Sequence, residues 1–110
     1  MKKDPQVYLA HILQSITSIE RHVKGISKEA FLESEDIQDI ITRRLEIIGE
    51  AARQISQDFK TQHSEIPWRD IGDMRNVLIH TYFEVDYTII WKTATELVPV
   101  LKKQIEALLK

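Results

Sequence analysis

The sequence predicts an all-α protein, a helical bundle of four to five helices. Apolar residues recur at spacings of three and four along nearly the whole chain, and the two-residue alternation of strands is almost absent. The 110 residues include only three Gly and three Pro, placed where helices should break. Because 43% of the residues are hydrophobic, one core is within reach, and a single domain over residues 1–110 is expected.

The first helix is expected to begin at Asp4-Pro5, an N-cap residue followed by proline at the first helical position. Gly25 is expected to end this helix. Ser27 can then cap a short second helix that includes residues 31–32. The first helix has one apolar stripe, made of Leu9, Ile12, Leu13, Ile16, Ile19 and Val23.

A long third helix is predicted from Glu35 to Gln62. Glu35 and Asp36 place negative charge at its N-terminus, where the helix dipole favours it. Small residues at positions 49, 51 and 52 would let another helix pack closely. The apolar stripe of this helix is formed by Ile37, Ile40, Ile41, Leu45, Ile48, Ala52, Ile55 and Phe59.

The fourth helix is expected to begin at Pro67 and to run to about Tyr82. It contains an unusual polar set, since Arg75, Asn76, His80 and Tyr82 lie among three aliphatic residues within the stretch MRNVLIHTYFEVDY. A helix that is buried only for packing has little use for these side chains. They are therefore the candidate functional residues of the chain.

The last helical pattern runs from Tyr87 to the end of the chain. Asp86 is its expected N-cap, and Val85 and Ile90 occupy the two positions of a hydrophobic staple. Pro99 lies inside this pattern and has no N–H to donate to the carbonyl one turn earlier. It should therefore kink or split the helix.

Composition limits the classes of function. The net charge of −2 argues against a domain held to nucleic acid mainly by bulk charge, although it leaves room for a local basic cleft. The absence of cysteine rules out disulfides and cysteine-based metal sites, and fits a cytoplasmic protein. His11, His22 and His63 have no metal-ligand spacing, so we expect no metal or cofactor. No signal peptide or membrane span is expected either.

The spacing of the polar set has a geometric consequence. Arg75 and Tyr82 are seven residues apart, which places them within roughly 20° on one helix face. Asn76 and His80, four apart, also share a face. Arg75 and His80 are five apart, or about 140° around the axis. They converge only if the helix end bends, if the arginine reaches across, or if a second copy completes the site, as in a symmetric dimer.

These side chains suit the cleavage of RNA without a metal. A histidine can take or give a proton when the 2′-hydroxyl attacks the adjacent phosphorus. Arg75 can neutralise charge on the phosphoryl oxygens, Asn76 can orient the phosphate or the histidine, and Tyr82 can bind or be modified. A structural role is the alternative. His80 would then be stabilised by the helix dipole, Arg75 would pair with Asp73, Glu50 or another acid, and Tyr82 would lie at the core edge.

The stretch IPWRDIGDMRNVLIHTYFEVDYTIIWKT, residues 66–93, resembles the HepT group of the HEPN superfamily, the toxin half of HEPN/MNT toxin–antitoxin pairs. The family motif is an arginine, four residues, a histidine, any residue and a tyrosine, which here are Arg75, His80 and Tyr82. Asn76, directly after the arginine, also matches. Two further segments are similar to the family: RRLEIIGEAARQIS at residues 43–56, and VDYTIIWKT…LVPVLKKQI at residues 85–105.

The resemblance implies a homodimeric HEPN-type bundle in which the motifs of both chains line one cleft. It implies metal-independent cleavage of an RNA substrate, with Arg75 and His80 as catalytic residues and Asn76 positioning the substrate. It also implies a partner, a minimal (MNT-type) nucleotidyltransferase that acts as the antitoxin and transfers AMP to Tyr82. The added phosphate would place negative charge where Arg75 and the RNA phosphate should meet.

Two other functions stay open at this point. The chain could be a non-catalytic subunit that presents a substrate or nucleotide to the nucleotidyltransferase, which the slightly negative net charge favours. It could also be a structural dimer with a relic motif. Growth arrest on expressing the chain alone, compared with His80→Ala, separates these alternatives from a ribonuclease toxin.

Overall fold

The computed structural model describes residues 4–79 and 86–110, without the side chains of residues 75–79. The all-α prediction is confirmed, since the regular structure in these ranges is entirely helical. The elements are α1 (Pro5–Val23), α2 (Lys28–Glu33), α3 (Glu35–Gln54), α4 (Gln57–Gln62), α5 (Trp68–Ile79), α6 (Tyr87–Lys92), a π turn (Thr93–Leu97) and α7 (Val98–Leu108). Helices α2 and α4 are short. Helix α6, the π turn and α7 follow one another without a break and form the C-terminal rod.

The predicted helix starts are confirmed by their caps. The Asp4 carboxylate accepts a hydrogen bond from the Gln6 N–H at 2.9 Å, and α1 begins at the next residue, Pro5. The Ser27 hydroxyl caps α2. The Asp86 carboxylate accepts from two N–H groups in the first turn of α6. Between the first two helices, Gly25 adopts a φ of 78°, a conformation that other residues rarely adopt.

The prediction of one helix from Glu35 to Gln62 is wrong. The chain leaves the helical conformation at Ile55, which has a φ of −69° and a ψ of 137°. Ser56 then caps α4, because its hydroxyl accepts a hydrogen bond from the Phe59 N–H at 3.3 Å. A serine at this position offers the backbone a local alternative to helix continuation. Ile55 stays buried, so α4 starts a new axis without removing an apolar side chain from the core.

The core lies where α1 packs along α3, α3 along α5, and α1 along α7. Phe31 closes one end of it, with its ring 5.2 Å from that of Trp91 and 6.4 Å from that of Tyr87. None of the helices that the structure describes has the length and apolarity needed to cross a bilayer. The side chains buried between α1, α3 and α7 include Leu9, Ile12, Ile16, Ile19, Ile41, Leu45, Ile48, Val98, Leu101 and Ile105.

The sequence predicts a kink or a split at Pro99, and the structure has a π turn there within a segment that stays helical throughout. The π turn lies just before the proline, and its last hydrogen bond runs from the Val98 N–H to the Thr93 carbonyl, five residues back. A helix that continued unbroken would need an N–H at Pro99, which proline lacks. The wider π turn ends just before Pro99, so the proline lies in the first turn of α7. Proline is tolerated there, because the N–H groups of the first turn have no acceptor within the helix.

Candidate functional site

The predicted site residues fall at the end of α5 and beyond it. Arg75 and Asn76 belong to α5, but their side chains are outside the part of the chain that the structure describes. His80, Tyr82 and the staple residue Val85 lie outside the described residues altogether, as does the predicted end of this helix. The arrangement of these side chains therefore stays a prediction, and the structure locates the helix on which the motif begins.

The first half of α5 is held firmly. Trp68 and Ile71 are buried, and the helix packs along α3. The Trp68 indole N–H donates to the His63 carbonyl at 3.0 Å, which ties the start of α5 to the end of α4. The Ile71 N–H donates to the Pro67 carbonyl at 3.0 Å, so the helical hydrogen bonds begin at the predicted proline. The motif helix thus starts from a buried and hydrogen-bonded base.

A cleft of about 710 Å³ opens beside this base, between the last turn of α3, helix α4 and the first half of α5. We call it the α4–α5 cleft. Three of the side chains that line it are cations, Arg53, Lys60 and Arg69, and each comes from a different helix. The other lining residues are Gln57, Thr61, Ser64, Ile66, Pro67, Trp68, Gly72 and Asp73.

Arg53 crosses α5 at Gly72. A Cβ atom on Gly72 would lie 3.2 Å from the Arg53 Cγ and 3.4 Å from its Nε, so the glycine leaves room for the arginine stem. The guanidinium then reaches Asp73, with 3.7 Å between Nη2 and Oδ1. Asp73, one of the partners considered for Arg75, is thus paired with Arg53. Both members of this pair are partly exposed, at 38% and 51%, so the attraction is weak.

The environment of Lys60 disfavours the positive charge of its ammonium group. Partial burial lowers the pKa of its ammonium group below the usual value, and the positive charge of Arg53 lowers it further. Both causes disfavour the charged form of the lysine. A bound anion would attract the ammonium group and offset the repulsion from Arg53, so the cleft is chemically suited to a ligand that carries negative charge.

Sequence reasoning did not identify Arg53, Lys60 and Arg69 as a group. A signal was present for two of them, because Arg53 and Lys60 are seven residues apart and would share one face of an unbroken helix. Arg69 joins them only because the chain turns back between α4 and α5. That turn depends on the local hydrogen bonds around His63 and Trp68, which periodicity does not reveal.

Among the side chains that the structure describes, no group of three or more His, Asp or Glu residues could hold a metal ion. The described cleft offers two guanidinium groups, one ammonium group, the carboxylate of Asp73 and the polar side chains of Gln57, Thr61 and Ser64.

The bundle, with its motif helix packed on α3, is an all-α fold of the HEPN type. The profile of the family described as "Ribonuclease HepT-like" matches residues 12–108, and the chain belongs to this family.

Three relatives are similar over nearly their whole length. A "Probable ribonuclease HepT" of Thermococcus cleftensis is 46% identical over 110 residues, which is 100% of both chains. A candidate RNase of Caldanaerobacter subterraneus subsp. tengcongensis is 44% identical, over 98% of this chain and 96% of its own. Another candidate RNase, from Methanocaldococcus jannaschii, is 39% identical over 96% of each chain. No solved structure matches the chain significantly.

Proposed function

We propose that this chain is an endoribonuclease that cleaves RNA without a metal ion, and that it is the toxin of a HEPN/MNT toxin–antitoxin pair. The main support is that the family match covers residues 12–108 and includes an intact Arg75, His80 and Tyr82 pattern. The names of the similar proteins, all ribonucleases or candidate RNases, point to the same activity. We place this activity in the cytoplasm, where transcripts are available as substrate.

The proposed reaction is a transesterification within the RNA. The 2′-oxygen forms a bond to the adjacent phosphorus, the bond to the 5′-oxygen breaks, and the products end in a 2′,3′-cyclic phosphate and a 5′-hydroxyl. His80 takes the proton from the 2′-hydroxyl or returns one to the leaving oxygen. Arg75 neutralises the charge that grows on the phosphoryl oxygens, and Asn76 positions the phosphate.

We propose that the active form is a homodimer. The offset of about 140° between Arg75 and His80 on one helix is the reason, because two copies related by a twofold axis can supply both groups to one cleft. Two copies of His80 would also provide a base for the attacking oxygen and an acid for the leaving one. Light scattering at micromolar concentration should give the mass of two chains, and a monomer would count heavily against this arrangement.

We propose that the partner nucleotidyltransferase silences the toxin at Tyr82. The phenol oxygen attacks the α-phosphorus of ATP, an O–P bond forms, and pyrophosphate leaves. The attached AMP then adds bulk and negative charge near Arg75. Mass spectrometry after incubation with the nucleotidyltransferase and ATP should show one AMP on the wild type and none on Tyr82→Phe. An equal mass gain on both proteins would reject the assignment.

The proposal is tested by RNA cleavage in the presence of EDTA. The wild type should cleave, whereas Arg75→Ala and His80→Ala should each be inactive while keeping the helical circular dichroism of the wild type. Full activity of His80→Ala, or loss of wild-type activity in EDTA, rejects the mechanism. A wild type that binds RNA or nucleotide without cleaving supports the alternative, a non-catalytic subunit of the nucleotidyltransferase.

A further inference from the structure

We propose that the α4–α5 cleft is a binding site for the phosphodiester backbone of single-stranded RNA, separate from the motif residues and adjacent to them. This inference rests on the proposed function for the identity of the ligand as RNA. The observation behind it is the convergence of Arg53, Lys60 and Arg69 on one cleft, in a chain whose net charge is −2.

The charge of the cleft fits a polyanion. Its described lining includes three cations and a single carboxylate, that of Asp73, which is already paired with Arg53. Among the described residues, Lys60 forms no ion pair, and the positive charge of Arg53 contributes to lowering the pKa of its ammonium group. Three cations face a single carboxylate in this lining, and phosphate oxygens would balance the excess positive charge.

The cleft also has the right position. Gly72 lies in its lining, and Arg75 follows three residues later on α5, a rise of about 4.5 Å along the helix axis. A strand whose backbone rests on Arg69 and Arg53 would therefore pass beside the start of the motif. The cleft would hold the substrate in register, and the motif would act on a neighbouring phosphate.

The aromatic residue in the cleft indicates which part of the RNA is bound. Trp68 is only 7% exposed, and its indole N–H is engaged by the His63 carbonyl, so its ring offers no free face for a base to stack on. The remaining lining combines the three cations and the polar side chains of Gln57, Thr61 and Ser64 with apolar surface that includes Ile66 and Pro67, and its charged and polar groups are the ones that can bind RNA. Contacts of this kind are made to phosphate and sugar and do not depend on the base sequence.

Binding can be measured apart from cleavage with a fluorescein-labelled 20-nucleotide RNA that is 2′-O-methylated throughout. This probe lacks the attacking hydroxyl and survives the assay. Lys60→Gln and Arg69→Gln should each weaken binding roughly fivefold at low salt, and each should reduce the salt dependence of the affinity by about one phosphate contact. Uridine and adenosine probes should give equal losses, because the contacts are to the backbone.

Two matched controls remove the same charge elsewhere. Lys103→Gln changes an exposed lysine of α7, and Arg43→Gln changes an arginine that is 70% exposed on α3. Both should bind the probe within about twofold of the wild type. Equal losses in these controls would mean that bulk charge holds the RNA, which would overturn the inference.

Gly72→Ala offers a test that leaves every charge in place. The new methyl group would meet the Arg53 stem at 3.2 Å, so the stem has to give by a few tenths of an ångström, and we expect its guanidinium to move with it. Binding of the probe should fall about threefold in the wild-type background. In an Arg53→Ala background, Gly72→Ala should have no further effect. An equal effect in both backgrounds would show that Arg53 does not bind RNA, and the cleft would lose its central contact.

The outcomes separate this inference from the proposed function. If unmodified RNA is cleaved but the cleft variants bind the probe normally, the inference fails and the ribonuclease stands. If the cleft binds the probe and no RNA is cleaved, the ribonuclease fails and the cleft stands. Light scattering is run on each variant as well. Unchanged RNA affinity, with loss of dimer or of nucleotidyltransferase binding, would make the cleft a protein contact and overturn the inference.

Discussion

The interior between α1, α3 and α7 differs from the α4–α5 cleft in the way its side chains are held. In the interior, Ile12, Ile48 and Ile105 have no exposed surface. In the cleft, Arg53 and Asp73 form a partly exposed pair 3.7 Å apart, and the protonation of Lys60 is disfavoured by its surroundings. The same helix, α3, contributes to both regions. Burial of apolar side chains stabilises the folded state in the interior. In the cleft, cations lie close together, and this proximity costs free energy of folding.

This difference suggests a division between stability and function within one small chain. Truncations in the interior should lower the free energy of unfolding strongly, because they open cavities in a close-packed core. Substitutions in the cleft should hardly change that free energy, yet they should change the affinity for RNA. The four predictions that follow test this division, from the largest expected effect on stability to the smallest.

Ile48→Ala should lower the free energy of unfolding by about 2–5 kcal/mol, because it leaves a cavity at the point where α3 meets its neighbours. Urea denaturation followed by circular dichroism measures the change. Leu97→Ala is the control, since that side chain is 56% exposed and its truncation should cost within about 0.5 kcal/mol. Similar losses in the two variants would mean that the interior is not the main source of stability.

Ser56→Ala should cost about 1 kcal/mol, because it removes the cap of α4, and it should also weaken RNA binding. Ser27→Ala removes the equivalent cap from α2, away from the cleft, and should cost a similar amount without changing RNA binding. Thermal denaturation and binding to the methylated probe are measured on both. If Ser56→Ala binds normally, α4 does not need its observed start to hold Lys60 in place.

Lys60→Gln should leave the free energy of unfolding within about 0.5 kcal/mol of the wild type at neutral pH, and any change should be a gain. The pKa of Lys60 is lowered in the folded state, so the protonated lysine destabilises the folded state at neutral pH. This destabilisation disappears as the pH rises from the folded-state pKa towards the ordinary pKa of lysine. The wild type should therefore gain stability relative to Lys60→Gln in urea titrations at alkaline pH. A relative loss there would contradict the description of this site.

Asp73→Asn should have the smallest effect on stability, between about 0 and 0.5 kcal/mol, because the ion pair with Arg53 is partly exposed. Its effect on binding should have the opposite sign to that of the cation variants. Removing the carboxylate frees Arg53 and raises the affinity for the methylated RNA about twofold at low salt. Fluorescence anisotropy measures this gain. Weaker binding would show that the pair is needed to orient the arginine.

Much of this fold could be predicted from the sequence, because its determinants are local. Three helices begin at N-cap residues that can be recognised in the sequence, Asp4, Ser27 and Asp86. Their side chains accept hydrogen bonds from nearby N–H groups. The apolar residues of α1 and α3 recur every three to four positions, because one face of each helix is buried. This spacing can be read directly from the sequence. Pro99 acts through a missing donor, which is a property of the residue itself.

The break at Ile55 and Ser56 could not be predicted in the same way. The apolar spacing passes through it unchanged, and Ile55 is buried although the helix ends beside it. Only the balance between one capping hydrogen bond and one more helical turn decides the outcome there. The α4–α5 cleft depends on this break and on the turn at His63, so its three cations were recognisable as a group only in three dimensions. The motif is the reverse case, since Arg75, His80 and Tyr82 are predicted from sequence alone and their role stays a prediction.

We propose that this chain cleaves RNA by attack of the neighbouring 2′-hydroxyl, with protein side chains supplying the proton transfers. The chemical ends of the products test this mechanism most directly. A short RNA is incubated with the wild type in EDTA, and the fragments are weighed by mass spectrometry. We expect a 2′,3′-cyclic phosphate on one fragment and a 5′-hydroxyl on the other, with neither formed by His80→Ala. Fragments ending in a 3′-hydroxyl and a 5′-phosphate would mean that water attacks the phosphorus, and would contradict it.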